Sequence, residues 1–313
     1  MPNDAPQPAP SHGRILLLGG DGQLGRALGG ALAHLGELTV LGRDQLDLTA
    51  PDLEGRLEKL APVGLGAIVN AAAYTKVDLA ETEREPASLA NALAPGILAT
   101  FAEKRGALFI HYSSDYVYPG DKESPYEEND PTGPLNWYGE TKLAGDRAVM
   151  ATDAQWVILR TSWVYGLGGN NFPHTILRAA EYTLRLDMDQ SQRGSPTSTE
   201  LLAAVTAHIL GGAVSYGKAP KGLFHLCPRG DCTWLEFSRF LVGEALALGM
   251  RLTLTPDGIK GREGPDRSRA ATRPLNSRLS VRSIEESFGI TLPHWKHHAR
   301  RFVRACRDLK KTL

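Results

Sequence analysis

The segment from Arg14 to Gly25 constrains this chain most. Four apolar residues, Ile15-Leu16-Leu17-Leu18, run directly into Gly19-Gly20-Asp21-Gly22-Gln23-Leu24-Gly25. An unbroken apolar run ended by glycines reads as a strand buried on both faces. Beyond it, Leu24, Ala27, Leu28, Ala31, Leu32 and Leu35 recur at three- and four-residue spacing, which predicts an amphipathic helix closing at Gly36. A strand that turns through G-x-x-G-x-x-G into a helix is built to receive a dinucleotide pyrophosphate. Gly19 permits the tight turn, Gly22 lets the backbone approach the phosphates, and Gly25 lets helix and strand pack closely. Free N–H groups at the helix start then meet the phosphate oxygens. Taken alone, the seven residues also read as a plain glycine turn.

The rest of the chain continues the alternation. Leu38–Leu41, Ala67–Asn70, Leu108–Tyr112 and Val157–Arg160 read as strands. Leu53–Leu60, Leu89–Arg105 and Tyr138–Met150 read as the helices between them. Parallel strands need crossover connections, and helices on both faces bury them, so the expected fold is α/β: a Rossmann-like doubly wound parallel sheet. Beyond Gly166 the pattern loosens. Phe172–Thr183, Thr199–Leu210 and Thr233–Leu248 read as helices and Leu223–Leu226 as a strand, while the polar stretch Gly258–Asn276 reads as a long loop. A last helix near Pro293–Leu309 carries Trp295, Ala299, Phe302, Cys306 and Leu309 on one stripe and a basic opposite face, read as a solvated surface.

Composition narrows the function. Lys and Arg total 35, as do Asp and Glu, so the net charge is zero and a nucleic-acid binder is not expected. No apolar run is long enough for a membrane span. Cys227, Cys232 and Cys306 form no disulfide framework and suit a reducing cytoplasm. The first twelve residues hold four prolines and no basic start, so residues 1–13 are expected to be a disordered tail rather than a signal peptide. No metal site is expected: Cys227 and Cys232 have no second pair, and His294 and His298 share only a surface helix.

Two further groups carry chemistry. The second strand ends at Leu41-Gly42-Arg43, where NAD binders usually place an acid for the ribose 2′-OH. A guanidinium there pairs with a 2′-phosphate, which favours NADPH. NADH remains possible, with Arg43 solvated and Asp44 or Asp47 on the ribose. Tyr138-Gly139-Glu140-Thr141-Lys142 is a Y-x-x-x-K whose phenol and ammonium share one helix face. A lysine charge near the phenol is expected to lower its pKa and make it a proton donor at neutral pH. Alone, such a pair is commonly a surface pair. Its partner is Ser114, at the C-terminal end of the fourth strand, where ligands of open α/β sheets sit. The serine hydroxyl there can polarise a carbonyl.

The set G-x-x-G-x-x-G, Ser114 and Y-x-x-x-K resembles the extended short-chain dehydrogenase/reductase family. Longer strings resemble its dTDP-4-dehydrorhamnose reductase branch: Asn70 to Asp78 (NAAAYTKVD), Ser113 to Tyr118 (SSDYVY), Tyr138 to Gly145 (YGETKLAG), Arg160 to Tyr165 (RTSWVY), Gly169 to Phe172 (GNNF) and Arg273 to Leu279 (RPLNSRL). The likeness runs from about Arg14 to about Arg304.

The resemblance implies NADPH-dependent reduction of a dTDP-linked 4-keto-6-deoxy sugar, dTDP-4-dehydro-L-rhamnose, by a monomer or homodimer. It implies that Gly22, Gln23 and Leu24 cradle the pyrophosphate, that Asp47 and Leu48 flank the adenine, and that Ala73, Tyr74 and Thr75 line the ribose and nicotinamide side. Tyr138 would donate the proton, Lys142 would hold the ribose, and Ser114, Asp115 and Trp163 would contact the sugar. The expected partition is 14–168 plus about 198–228 for the dinucleotide and 169–197 plus about 229–313 for the sugar nucleotide. Three positions depart from the family pattern. Ser114 replaces the usual threonine, Ser191 stands where an aspartate belongs, and Ala27 occupies the position of a glutamate that helps hold magnesium in some relatives. Two other functions remain open. One is a non-catalytic NADP-binding regulatory subunit like that of methionine adenosyltransferase, which would not need the acid–base pair. The other is another sugar-nucleotide reductase or epimerase; a dehydratase would need an acid where Tyr116 stands.

Overall fold

The computed structural model describes residues 13–216, 219–264 and 269–312. The tail expected over residues 1–13 lies outside them, apart from Gly13. Six parallel strands form the central sheet: β1 (Arg14–Leu18), β2 (Glu37–Leu41), β3 (Leu65–Asn70), β4 (Leu108–Ser114), β5 (Gln155–Thr161) and β10 (Gly222–His225). Their order is β10-β5-β4-β3-β1-β2. The connections diverge between β1 and β3, which makes the C-terminal edge there a topological switch point, the place where such sheets bind ligands.

The apolar run of β1 behaves as its sequence requires. Ile15 and Leu17 face one side, with Leu28 and Leu32 of α1 (Gln23–Leu32) and Leu202 and Ile209 of α7 (Thr199–Tyr216). Leu16 and Leu18 face the other, with Leu57 of α2 (Leu53–Leu60), Leu98 and Phe101 of α4 (Ala94–Lys104) and Val149 of α5 (Trp137–Met150). Each fully buried side chain of this size contributes about 1.5–3 kcal/mol, so both faces of the sheet are held by the same short strand.

Helix α1 ends at Leu32 rather than Gly36; a turn from Leu35 N–H to the Leu32 carbonyl closes it. The helix expected to begin at Leu89 begins earlier, as α3 (Arg84–Ser88), and passes through a π-helical turn, Leu89–Leu93, into α4. Short strands β6 (Val164–Tyr165) and β9 (Thr197–Ser198) pair with each other, and β8 (Arg193–Gly194) joins β11 (Cys232–Thr233) and β13 (Asn276–Ser277).

A separate apolar core gathers Ile176 and Leu177 of α6 (Phe172–Ala179), Phe237 and Leu241 of α8 (Trp234–Ala247), and Trp295 and Phe302 of α10 (Trp295–Thr312). Within the expected loop Gly258–Asn276, residues Ile259–Arg262 form β12, parallel to β7 (Leu186–Asp189). Ile259 is buried in that core, which anchors a strand whose other residues are polar. After α9 (Arg282–Phe288), α10 buries its apolar stripe but leaves Leu309 exposed. Its basic face is solvated and partly paired, Arg300 with Glu244 at 2.8 Å and Arg301 with Glu200. Among the described residues no helix is long and apolar enough to cross a membrane.

Candidate active site

The glycine turn follows β1 at the switch point. Gly19 has φ +78°, and a Cβ there would lie 2.7 Å from the Ala72 backbone nitrogen. A Cβ at Gly25 would overlap the Gly19 carbonyl, so the close packing of helix on turn requires that glycine. Gly22 caps α1 with no side-chain bond to the helix N–H groups, and the first turn holds no acid. The donors of Gln23 and Leu24 therefore face outward, the arrangement that suits a pyrophosphate. Gln23 ties this turn to the second half of the chain, donating to the Val164 carbonyl and accepting from Asn171, each at 3.4 Å.

At the end of β2, the Arg43 side chain is 77% exposed and its Nε lies 3.4 Å from Asp47 Oδ2. The Arg43 N–H donates to Asp21 Oδ2 at 3.0 Å. The guanidinium is thus available to an anion, but two carboxylates sit at the same corner. Asp47 also accepts the Thr49 N–H at 2.9 Å, a backbone bond that holds its carboxyl below the usual range. Leu48 is buried in the sheet core.

Ala73 and Thr75 are exposed after β3, with Tyr74 half-buried between them. The Tyr74 hydroxyl donates to Glu83 at 2.5 Å, and burial plus that carboxylate pushes the phenol up to about 12. Asn91, in the π-helical turn, holds the Tyr74 backbone at both ends: its Oδ1 accepts the Tyr74 N–H and its Nδ2 donates to the Tyr74 carbonyl, each at 2.9 Å. The same amide reaches Thr141 Oγ1 on α5 at 3.2 Å. A Cβ at Gly145 would overlap the Asn91 carbonyl, which explains the glycine late in YGETKLAG. Asn91 escaped the sequence reading because its bonds are to residues 17 and 50 positions away.

Tyr138, Lys142 and Ser114 come together. Tyr138 lies near enough to Ser114, at the end of β4, for the serine to draw its phenol's pKa down, and Lys142 lies one turn further along α5. Ser114 also donates to Asp115 Oδ1 at 3.0 Å. The lowered phenol expected from the lysine is not found. Burial pushes Tyr138 up to about 12, with Ser114 pulling the other way. The reason is where the lysine amine goes: Lys142 Nζ donates to the Tyr112 carbonyl at 2.7 Å and lies 3.5 Å from His111 Nε2. Burial instead lowers Lys142, to about 8. Buried Asp115 is raised to about 6, mainly by loss of water, while Ser277 and Ser114 oppose the rise.

Trp163 adopts φ +47° and stacks on Trp234, ring centroids 3.5 Å apart and planes 9° from parallel. In the loop carrying Ser191, the serine hydroxyl and N–H both donate to Asp189 Oδ1 at 2.7 Å, so Ser191 closes the turn on Asp189. The strings Asn70–Asp78 and Arg273–Leu279 meet through a two-pronged pair: Arg273 donates to the Asp78 carboxylate at 2.5 and 2.6 Å.

The profile described as the RmlD substrate binding domain matches residues 13–307. The chain belongs to that family. A member from Escherichia coli, a dTDP-4-dehydrorhamnose reductase, is 40% identical over 292 residues, 92% of this chain and 96% of its own. One from Burkholderia thailandensis with the same name is 38% identical over 287 residues, 91% and 96% of the two chains. Among solved structures, the dTDP-4-dehydrorhamnose reductase of Bacillus anthracis in complex with NADP superposes with a TM-score of 0.82. It is 28% identical, and the match covers 92% of this chain and 98% of that one. The Rossmann-like α/β fold expected from the sequence is thus the fold of this family.

Proposed function

We propose that the chain is an NADPH-dependent oxidoreductase that reduces dTDP-4-dehydro-L-rhamnose to dTDP-L-rhamnose, in dTDP-rhamnose biosynthesis. The observation that carries this reading is the docking of α5 on the C-terminal end of β4, where the buried Lys142 amine donates to the Tyr112 carbonyl two residues before Ser114, with Tyr138 one turn away. The names of the relatives support the substrate and coenzyme.

The glycine turn and the uncapped start of α1 fit a dinucleotide: Gly19 and Gly25 let the turn fold tightly against Ala72 and itself, and the helix start carries no side-chain cap and no acid in its first turn. Gly22, Gln23 and Leu24 would hold the pyrophosphate, Asp47 and Leu48 the adenine, and Ala73, Tyr74 and Thr75 the nicotinamide side. Arg43 would meet the 2′-phosphate, with Asp21 and Asp47 beside it leaving NADH acceptable. When bound, NADPH supplies the hydride for C4 of the keto sugar. Ser114 holds the sugar carbonyl by donating to its oxygen. Tyr138 gives its proton to that oxygen as negative charge develops, and Asp115 and Trp163 hold the sugar in place. The partition of 14–168 plus about 198–228 against 169–197 plus about 229–313 places the coenzyme on the first part and the sugar nucleotide on the second. The three free, buried cysteines support a reducing, cytoplasmic setting.

The test is an assay of dTDP-4-dehydro-L-rhamnose with NADPH, following loss of nicotinamide absorbance and formation of dTDP-L-rhamnose. Tyr138→Phe should keep coenzyme affinity and lose turnover by about 10²–10⁴-fold. Undiminished turnover would remove Tyr138 from the acid role.

A further inference from the structure

We propose that His111 is a positioning residue for the reaction: fixed by Asn70 in the tautomer that carries its hydrogen on Nε2, it turns an N–H toward Lys142 and so readies Lys142 to release a proton. The argument starts at a backbone group. The Ala72 N–H donates to Asn70 Oδ1 at 3.2 Å, which settles which end of that amide faces where. The NH2 end therefore faces His111 Nδ1, also at 3.2 Å. An amide NH2 only donates, so Nδ1 must be the accepting nitrogen and the ring hydrogen sits on Nε2. Nε2 lies 3.5 Å from Lys142 Nζ.

An ammonium has no lone pair to offer an N–H; a neutral amine has one. The side chains of the cluster are consistently hydrogen-bonded to one another only when Lys142 is neutral, and all three are shielded from bulk solvent. Asn70 and His111 are each 1% exposed and Lys142 is 2% exposed. The directions agree: burial and the Lys142 charge hold His111 well below its ordinary value, and burial draws Lys142 down.

The other groups around Lys142 are few. On its own helix, Tyr138 lies one turn before it and Asp146 one turn after; the Asp146 charge favours the ammonium. Asp146 is itself paired with Arg160 of β5 at 2.9 Å. Strand β4 presents His111 and, at its end, Asp115; β3 presents only the Asn70 amide, and the π-helical turn only Asn91. His111 and Asp146 thus act on Lys142 in opposite senses. The step they serve is a single proton transfer. After Tyr138 has protonated the substrate, the Lys142 side chain swings from the Tyr112 carbonyl toward Tyr138, one turn earlier on α5; an Nζ–H bond breaks and the Tyr138 O–H bond re-forms. Lys142 is left as a neutral amine that accepts from His111 and regains its proton from solvent once the products leave.

The proposal rests on reading Lys142 as the amine that serves Tyr138; its test is made on the full chain without coenzyme, so the His111 tautomer and the Lys142 midpoint are read separately from whether reductase activity is found. Nitrogen NMR of the wild-type histidine rings should show His111 protonated at Nε2; a hydrogen on Nδ1 overturns the proposal. Carbon NMR of the lysine side chains, with Lys142→Arg to assign the signal, should give a Lys142 midpoint near 8. In His111→Gln, the new carbonyl can face the ammonium, and the midpoint should rise by about one pH unit, a tenfold tighter proton. In Asn70→Asp, two acceptor oxygens take the Ala72 N–H and a hydrogen on Nδ1, which frees Nε2 to accept and raises the midpoint too. The inflection in the pH profile of turnover should move with it. A folded variant with lowered turnover but the wild-type midpoint would make His111 merely structural.

Discussion

Replacing Lys142 by methionine tests the buried amine through stability rather than turnover. Lys142 is almost wholly enclosed, and burial lowers it from an ordinary value of 10.5 to about 8. In the unfolded chain the amine regains its ordinary affinity. Below about pH 8 both states carry the proton and the folded state bears the full cost of an enclosed charge. Between about pH 8 and 10.5 the folded state has lost the proton and the unfolded state has not, so the wild type gains stability as pH rises. Above that range both are neutral and the cost is gone. The gain is about 3 kcal/mol. Methionine keeps the aliphatic stem but has no charge to titrate, and it leaves the Tyr112 carbonyl without its donor, a loss of about 1–3 kcal/mol at every pH. The unfolding free energy of the methionine variant relative to wild type should therefore fall by about 3 kcal/mol between pH 7 and about pH 11. Denaturant titrations of both proteins at the two pH values measure it, and all other titrating groups cancel in the difference. Parallel stability curves would show that folding leaves the lysine's proton affinity unchanged, and the enclosed-amine account would fail.

Three other substitutions probe the rest of the site. Gly25→Ala forces a Cβ into the Gly19 carbonyl, so it should lower stability by about 1–3 kcal/mol and weaken coenzyme binding; thermal melts and coenzyme titration matching wild type would contradict the packing argument. Arg43→Ala should weaken NADPH relative to NADH by about tenfold, one charge-assisted contact. An unchanged ratio of the two KM values would place 2′-phosphate recognition elsewhere. Asp115 is raised to about 6, so it is ionised above that pH and protonated below it. If the ionised form serves the sugar, kcat/KM for the sugar nucleotide falls on the acid side of about pH 6 in wild type. That inflection should be absent in Asp115→Asn; its persistence at the same midpoint would assign it to another group.

What the sequence disclosed depended on how local each cause was. The run Ile15–Leu18 and the spacing through Leu53–Leu60 have local causes, and the structure has β1 and α2 where those patterns place them. Gly19 and Gly25 were legible for the same reason, since the turn they form closes within seven residues. Strand β12 was not legible: its burial rests on Ile259 and its hydrogen bonds come from Leu186–Asp189, more than seventy residues earlier. The Tyr138–Lys142 pair shows the boundary most clearly. Helical spacing places both on one face of α5, but the amine is directed to the Tyr112 carbonyl and His111 on the adjoining strand, and burial there sets its proton affinity. A rule drawn from the helix alone therefore gave the wrong direction for the phenol.

Trp163 shows why the remaining site geometry has to be over-determined. A tryptophan at φ +47° carries backbone strain on the order of 1–3 kcal/mol, which persists only if its surroundings hold it. Three features do so. Its indole lies flat on Trp234, Trp234 Nε1 donates to Gln192 at 3.4 Å, and Gly194 leaves the ring room that any Cβ, 2.6 Å from Trp163 Cε2, would take. The Gln192 amide is held in turn by Asp189, the residue that also receives Ser191. With serine at position 191, then, the loop still closes on Asp189 and still supports the Trp234 side of the stack. The departure from the family pattern leaves the indole platform intact and alters only the charge beside it.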